Sequence, residues 1–212
     1  MPDTTFIRAP KEAKAGSRLV DVLQIIVIIL AIGVVFYLFI ITPHIVDGRS
    51  MEPNFYDKDL LIVNRIPQLL DGTDLGRNLH AFYQRGDVII FQQPEQSEYI
   101  KRIIAGPGDT IKILQNKIFV NNKEIVEHYI PNEPYYTTNV AIDSVAFIRE
   151  GEEISVPEGK YFVMGDNRQH SQDSRYIQVG FVSKNEIKGK VVFRLLPLEK
   201  FGGILTGIYD EK

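Results

Sequence analysis

Hydrophobic and polar positions divide the chain into three zones of different pattern. The first, up to about Arg18, mixes Pro, Lys, Ala, Gly and Ser without periodicity and reads as a flexible tail, residues 1–18. The second, Val22–Ile41 (VLQIIVIILAIGVVFYLFII), is apolar on every side, with Gln24 its one strongly polar side chain. About 20 helical residues cross a hydrocarbon core of roughly 30 Å. Residues 19–42 are therefore expected to form one transmembrane signal anchor; a buried helix of a large soluble core is the competing reading. The run exceeds the usual hydrophobic region of a cleaved signal peptide, and TPHIVDGRSMEP after it offers no small-x-small site. Arg8, Lys11, Lys14 and Arg18 precede the run, whereas Arg49 beside Asp47 is the nearby charge after it. The positive-inside rule then predicts a single-pass protein of the cell membrane, with a cytoplasmic N-terminus and an extracytoplasmic domain over 43–212.

In the third zone the period changes to that of strands. Leu60–Asn64, Asp87–Gln92, Tyr99–Ile104, Thr110–Leu114, Lys117–Val120, Lys160–Met164 and Val191–Leu195 are short, rich in β-branched or aromatic residues, and bounded by Gly, Pro, Asn or Asp. DTIKILQNKIFVNNKEI predicts a meander turning at Gln-Asn and Asn-Asn. No long helical period follows the apolar run; short helices fit within Leu69–Tyr83 and at Lys184–Ile187. Pro67–Tyr83 and Tyr129–Arg149 read as long excursions between strands. The expected fold is mostly β: an antiparallel β domain with long loops, preceded by one transmembrane helix.

Charge and composition narrow the chemistry. A formal net charge of −3 and the absence of a basic domain argue against a nucleic-acid partner. With no cysteine, disulfides, thiolate nucleophiles and thiolate metal sites are excluded together. His44, His80, His128 and His170 are scattered without metal-ligand spacing, so neither metal nor cofactor is expected.

A nucleophile is sought instead in GRSMEP, where Ser50 sits between Gly48 and Pro53 in a turn just past the apolar run. A serine hydroxyl needs a base, and a lysine can act as one if burial lowers its pKa toward neutrality. Lys101 lies in EYIKRIIAGPGD, where alternation sets Tyr99, Lys101 and Ile103 on one face and Ile100 and Arg102 on the other. That face allows either a buried amine or an edge lysine that snorkels to water. Arg102 cannot serve as a base, because guanidinium keeps its proton. After the strand YFVMG come Asp166, Asn167, Arg168, Ser171, Asp173, Ser174 and Arg175, either an exposed polar loop or a partly buried network of charge-assisted hydrogen bonds.

These segments resemble the four motifs of bacterial type I signal peptidases, the serine-lysine membrane proteases that remove signal peptides. Ser50-Met51-x-Pro53 resembles the nucleophile motif and Arg85-Gly86-Asp87-Val88 the second, structural one. Tyr99-x-Lys101-Arg102 with Gly106-x-Gly108-Asp109 is similar to the base motif, and GDNRxxSxDSR from Gly165 to Arg175 to the last. The resemblance implies attack by Ser50, proton transfer to neutral Lys101, orientation of Lys101 by Ser171, and a supporting network of Asp166, Asp173 and Arg175. It also implies pocket walls from Val46, Met51, Tyr99 and Ile100. Some members carry a serine two residues before the nucleophile; here Gly48 stands there, so the backbone N–H groups of Ser50 and Gly48 are the expected oxyanion donors. The implied partners are signal-peptide-bearing precursors, a lipid bilayer and the secretion translocon. A specialised relative with few substrates and a self-cleaving repressor of the same serine-lysine fold are the alternatives, the latter lacking its usual soluble DNA-binding domain here.

Overall fold

The computed structural model describes residues 14–70, 72–78, 82–93, 97–131, 144–207 and 209–211. The tail before residue 14, His80, and 132–143 of the Tyr129–Arg149 excursion lie outside the described residues. The chain divides into two units, Met1–Phe39 and Ile40–Lys212.

The first unit holds most of helix α1, Lys14–Ile40. Among the described residues no helix is long and apolar enough to cross a membrane. The chain also leaves the helix at Ile40, so Ile41 and Thr42 join a sheet, paired with Asn64 and Val63. The expected transmembrane anchor over 19–42 is thereby overturned, and with it the single-pass placement having a cytoplasmic N-terminus and an extracytoplasmic domain.

The second unit is mostly β, and its ladders are antiparallel, as the alternation and turns predict. Its strands are β1 (Ile41–Ile45), β2 (Leu60–Asn64), β3 (Val88–Gln92), β4 (Glu98–Ala105), β5 (Thr110–Leu114), β6 (Lys117–Val120), β7 (Lys123–Glu127), β8 (Glu153–Ser155), β9 (Lys160–Met164), β10 (Val182–Ser183), β11 (Ile187–Leu196), β12 (Gly202–Gly203) and β13 (Tyr209–Glu211). One sheet runs β1-β2-β11-β3-β4-β9-β10, with β12 also on β11; the other runs β13-β7-β6-β5-β8. Helices α2 (Ile66–Leu69) and α3 (Asp74–Asn78) lie within the first excursion, and Lys184–Glu186 forms a 3₁₀ turn.

The meander β5-β6-β7 follows from its turns. Gln115-Asn116 and Asn121-Asn122 have positive φ at both central residues, the two-residue hairpin geometry that matches strand twist. Strand β3 carries the large sheet through the core. Val88 and Ile90 pack with Val46, Met51, Phe55, Leu61 and Ile100 on one face, while Ile89 and Phe91 pack with Ile103, Tyr161 and Val163 on the other. A third cluster joins the sheets: Ile104 of β4 and Phe162 of β9 meet Ile111, Ile113, Ile118 and Val120 of the meander. The last residues of β4 thus enter one core, and in its middle Lys101 is itself buried.

Candidate active site

Ser50 stands where β1 ends and the chain turns back toward β2. Gly48 makes the turn possible with φ of +91°, a backbone conformation costly for any residue with a Cβ. Met51 and Phe55 anchor the turn from beneath: both are fully buried in the first cluster, and the Phe55 N–H donates to the Met51 carbonyl at 2.9 Å. Ser50 itself stays half-buried at the edge of a cavity of about 450 Å³. Val46, Gly48, Tyr99, Ile100 and Lys101 also line that cavity, together with His44, Leu61, Ile90, Glu98 and His170. Met51 points into the core and is not among the lining residues.

The Lys101 amine donates to Ser50 Oγ at 2.8 Å and to the Ile100 carbonyl at 2.9 Å, and lies 5.2 Å from the centroid of the Tyr99 ring. Burial lowers its pKa from 10.5 to about 8; Asp173 and Asp166 pull it back up, and Arg175 pushes it down again. The folded value lies below the unfolded one, so the unfolded chain binds more protons between the two. The cost to stability is complete below about 8 and is relieved as pH rises to 10.5. At neutral pH it amounts to about 3 kcal/mol. Lys101→Met is therefore expected to melt several degrees higher than the parent at pH 7, with the gap closing toward pH 10. Melting curves at the two pH values check this; an equal gap at both would sink the burial explanation.

A dense buried network backs this pair. Arg102, on the opposite face of β4 from Lys101, makes two bonds to Asp166, at 2.9 and 2.7 Å, and one to the Gly86 carbonyl at 2.9 Å. Asn54, a turn beyond Ser50, donates to Asp166 at 2.8 Å and so links the nucleophile turn to that ion pair. Arg175 grips Asp173 through Nε at 2.8 Å and a terminal nitrogen at 2.9 Å, while Asp173 accepts the Gly165 N–H at 3.0 Å. Burial alone would raise the Asp173 pKa, but the Arg175 charge and these bonds bring it below its ordinary value. Ser171 Oγ is buried with no bond of good geometry among the described residues, although its hydroxyl is near enough to Asp173 to favour the carboxylate. A Cβ on Gly165 would collide with that hydroxyl and with the Ser50 carbonyl, so glycine is what lets the loop reach the turn.

The fold therefore brings Ser50, Lys101, Asp166, Ser171, Asp173 and Arg175 together around one turn. The Gly48 N–H, expected to face an oxyanion, donates instead to the Asp57 carboxylate at 2.9 Å. Arg102 and Asn167, read only as members of the motifs, join the site, and so does Asn54, which no motif named. Arg102 could have been found from the alternation in β4, which sets it opposite Lys101.

Known proteins align with the chain over nearly all of this architecture. The sequence model of the family described as signal peptidase, peptidase S26, matches residues 19–196. Signal peptidase I P of Bacillus subtilis subsp. natto is 33% identical over 188 residues, covering 88% of this chain and 94% of the relative. Signal peptidase I of Bacillus amyloliquefaciens is 30% identical over 187 residues, covering 87% and 91%. A crystal structure of a signal peptidase I from Enterococcus faecalis is 32% identical, covers 51% of this chain and 95% of its own, and superposes with a TM-score of 0.38. The protein is thus a serine endopeptidase of the Ser-Lys dyad type that removes N-terminal signal peptides from exported precursors. A family match over most of the chain, with relatives at 30% identity or more covered nearly end to end, places it plainly: the chain belongs to the bacterial type I signal peptidases.

Proposed function

We propose that Ser50 is the nucleophile and Lys101 the general base, within a catalytic domain spanning 43–212. The 2.8 Å bond between a buried amine and the serine hydroxyl carries this reading. Neutral Lys101 takes the Ser50 proton as Oγ attacks the scissile carbonyl, and the resulting ammonium returns that proton to the leaving amine. The acyl-enzyme then reacts with water, which loses its proton to Lys101, and collapse restores Ser50 and frees the signal peptide. The Ser50 N–H is the oxyanion donor, because Asp57 occupies the Gly48 N–H. Asp166, Ser171, Asp173 and Arg175 hold the base and the turn. Val46, Tyr99 and Ile100 form shallow apolar walls that select small side chains at the first and third positions before the cut.

The proposed partners are the precursor, the lipid bilayer that holds its apolar segment, and the translocon that delivers it. Sharing a bilayer surface raises the effective concentration of enzyme and cleavage site. The full-length protein in detergent, incubated with a set of precursors, should release mature chains whose new N-termini follow small-x-small sequences. Ser50→Ala should release none. Cleavage after phenylalanine or arginine, read by N-terminal sequencing, would contradict the assignment.

A further inference from the structure

A peptide unit is planar and trans, so its C=O and N–H point in opposite directions. Whatever fixes the Arg49 carbonyl therefore fixes the direction of the Ser50 N–H. That carbonyl accepts two donors, the Glu52 N–H of its own turn at 3.2 Å and, from across the site, the side-chain amide of Asn167, with Nδ2 at 3.1 Å. The next carbonyl, that of Ser50, accepts the backbone N–H of Asn167, also at 3.1 Å. Asn167 thus holds two consecutive peptide planes of the nucleophile turn, and it is fully buried while doing so. Its amide orientation is consistent on both sides: Oδ1 lies 3.3 Å from His170 Nδ1, and the opposite orientation would set Oδ1 against the Arg49 carbonyl. His170 also donates its backbone N–H to the Asn167 carbonyl at 3.1 Å, which closes the loop beneath the amide.

The neighbouring donor makes this more consequential. With the Gly48 N–H engaged by Asp57, the oxyanion hole draws on the Ser50 N–H. We infer that Asn167 is a positioning residue that aims the Ser50 N–H at the developing oxyanion by anchoring the Arg49 carbonyl on the far side of the same peptide plane. The inference rests on Ser50 being the nucleophile. Asn167 touches neither substrate nor reacting atoms, so its effect falls on the transition state, where the oxyanion forms, and leaves ground-state binding alone.

Asn167→Ala and Asn167→Asp both remove the Nδ2 donor; the second keeps the size, and the first adds no charge near Lys101. Acylation per folded molecule, measured in single turnover with the full-length enzyme and a precursor, should fall roughly ten- to hundredfold in both, somewhat less than loss of an oxyanion donor itself. KM and the affinity for the released product peptide should stay within about threefold of the parent. Inhibition by a peptide aldehyde, whose adduct with Ser50 carries an oxyanion, should weaken by the same factor as acylation. A merely structural role would lower melting temperature without coupling the aldehyde affinity to the rate. A parent-like rate per folded molecule in either variant, or an unchanged aldehyde affinity alongside a reduced rate, overturns the inference. Ser50→Ala, run in parallel, separates the two claims: continued cleavage by it defeats the nucleophile assignment, whereas a dead Ser50→Ala beside a fully active Asn167→Asp defeats only the positioning role.

Discussion

Lys101→Arg is expected to abolish cleavage while leaving a folded protein. The base must be uncharged when it meets the Ser50 hydroxyl, and at neutral pH a free lysine almost never is. Burial brings Lys101 to about 8, so a useful fraction of amine is neutral near physiological pH. Guanidinium keeps its proton throughout the accessible range and cannot take one from Ser50. The rate of the parent enzyme should therefore rise with pH through about 8 and level off above it, because the deprotonated form is the active one. His170 lines the same cavity, but the side chain bonded to Ser50 Oγ is Lys101. Single-turnover cleavage by matched Lys101→Arg and His170→Ala proteins, each checked for folding, decides the matter. Near-normal rates for Lys101→Arg with loss in His170→Ala would replace the lysine by a histidine base. A loss of several orders of magnitude confined to Lys101→Arg, with at most a modest effect in His170→Ala, is the expected result.

What the sequence could reveal followed from whether local residue types carried the information. The meander was legible because Gln-Asn and Asn-Asn mark positive φ, and β3 and β9 because their side chains are buried on both faces. Strand β7 (KEIVE) is mostly charged and was legible only through the Asn-Asn turn before it, whereas β12, two glycines, shows no strand pattern although it pairs with β11. Strand β1 hid at the end of the apolar run, where Ile41 and Thr42 read as continuing a helix until pairing with β2 claimed them. The first half of β11, Ile-Lys-Gly-Lys, alternates too weakly to extend the strand backward from Val191. Within the site, Ser50 and Lys101 were readable because the chemistry needs those side chains. The orientation of Met51 was not, since spacing does not say which side of a turn faces the core. Asn167 acts on backbone carbonyls, which leave no trace in residue type at 49 or 50. The capture of the Gly48 N–H by Asp57 was equally hidden, being a contact across nine positions of a loop.

Truncating the buried acids behind the dyad should produce the largest losses of stability in the domain. Asp173 is fully buried and bonded twice to the guanidinium of Arg175, which is itself buried. Removing one partner of such a pair strands the other charge away from water, at a cost of roughly 3–5 kcal/mol. Asp173→Ala and Asp166→Ala are therefore each expected to lower the melting temperature by about 10 °C, since 1 kcal/mol moves a domain of this size by about 2–4 °C. Lys117→Ala, which breaks the more exposed pair with Glu124, should cost no more than about 1 kcal/mol. The Asp173 contribution also has a definite sign with pH. Its folded value lies below the ordinary 3.8, so the stabilisation is complete above that value and is lost as pH falls toward the lowered one. A kinetic signature separates the pair from simple packing. Asp173 raises the Lys101 pKa and Arg175 lowers it. The midpoint of the pH–rate profile should therefore move down in Asp173→Asn and up in Arg175→Met, both nearer in size to the parent residues than alanine. Shifts in the same direction, or an Asp173→Ala protein with unchanged melting, would show that the pair neither tunes the base nor supports the loop.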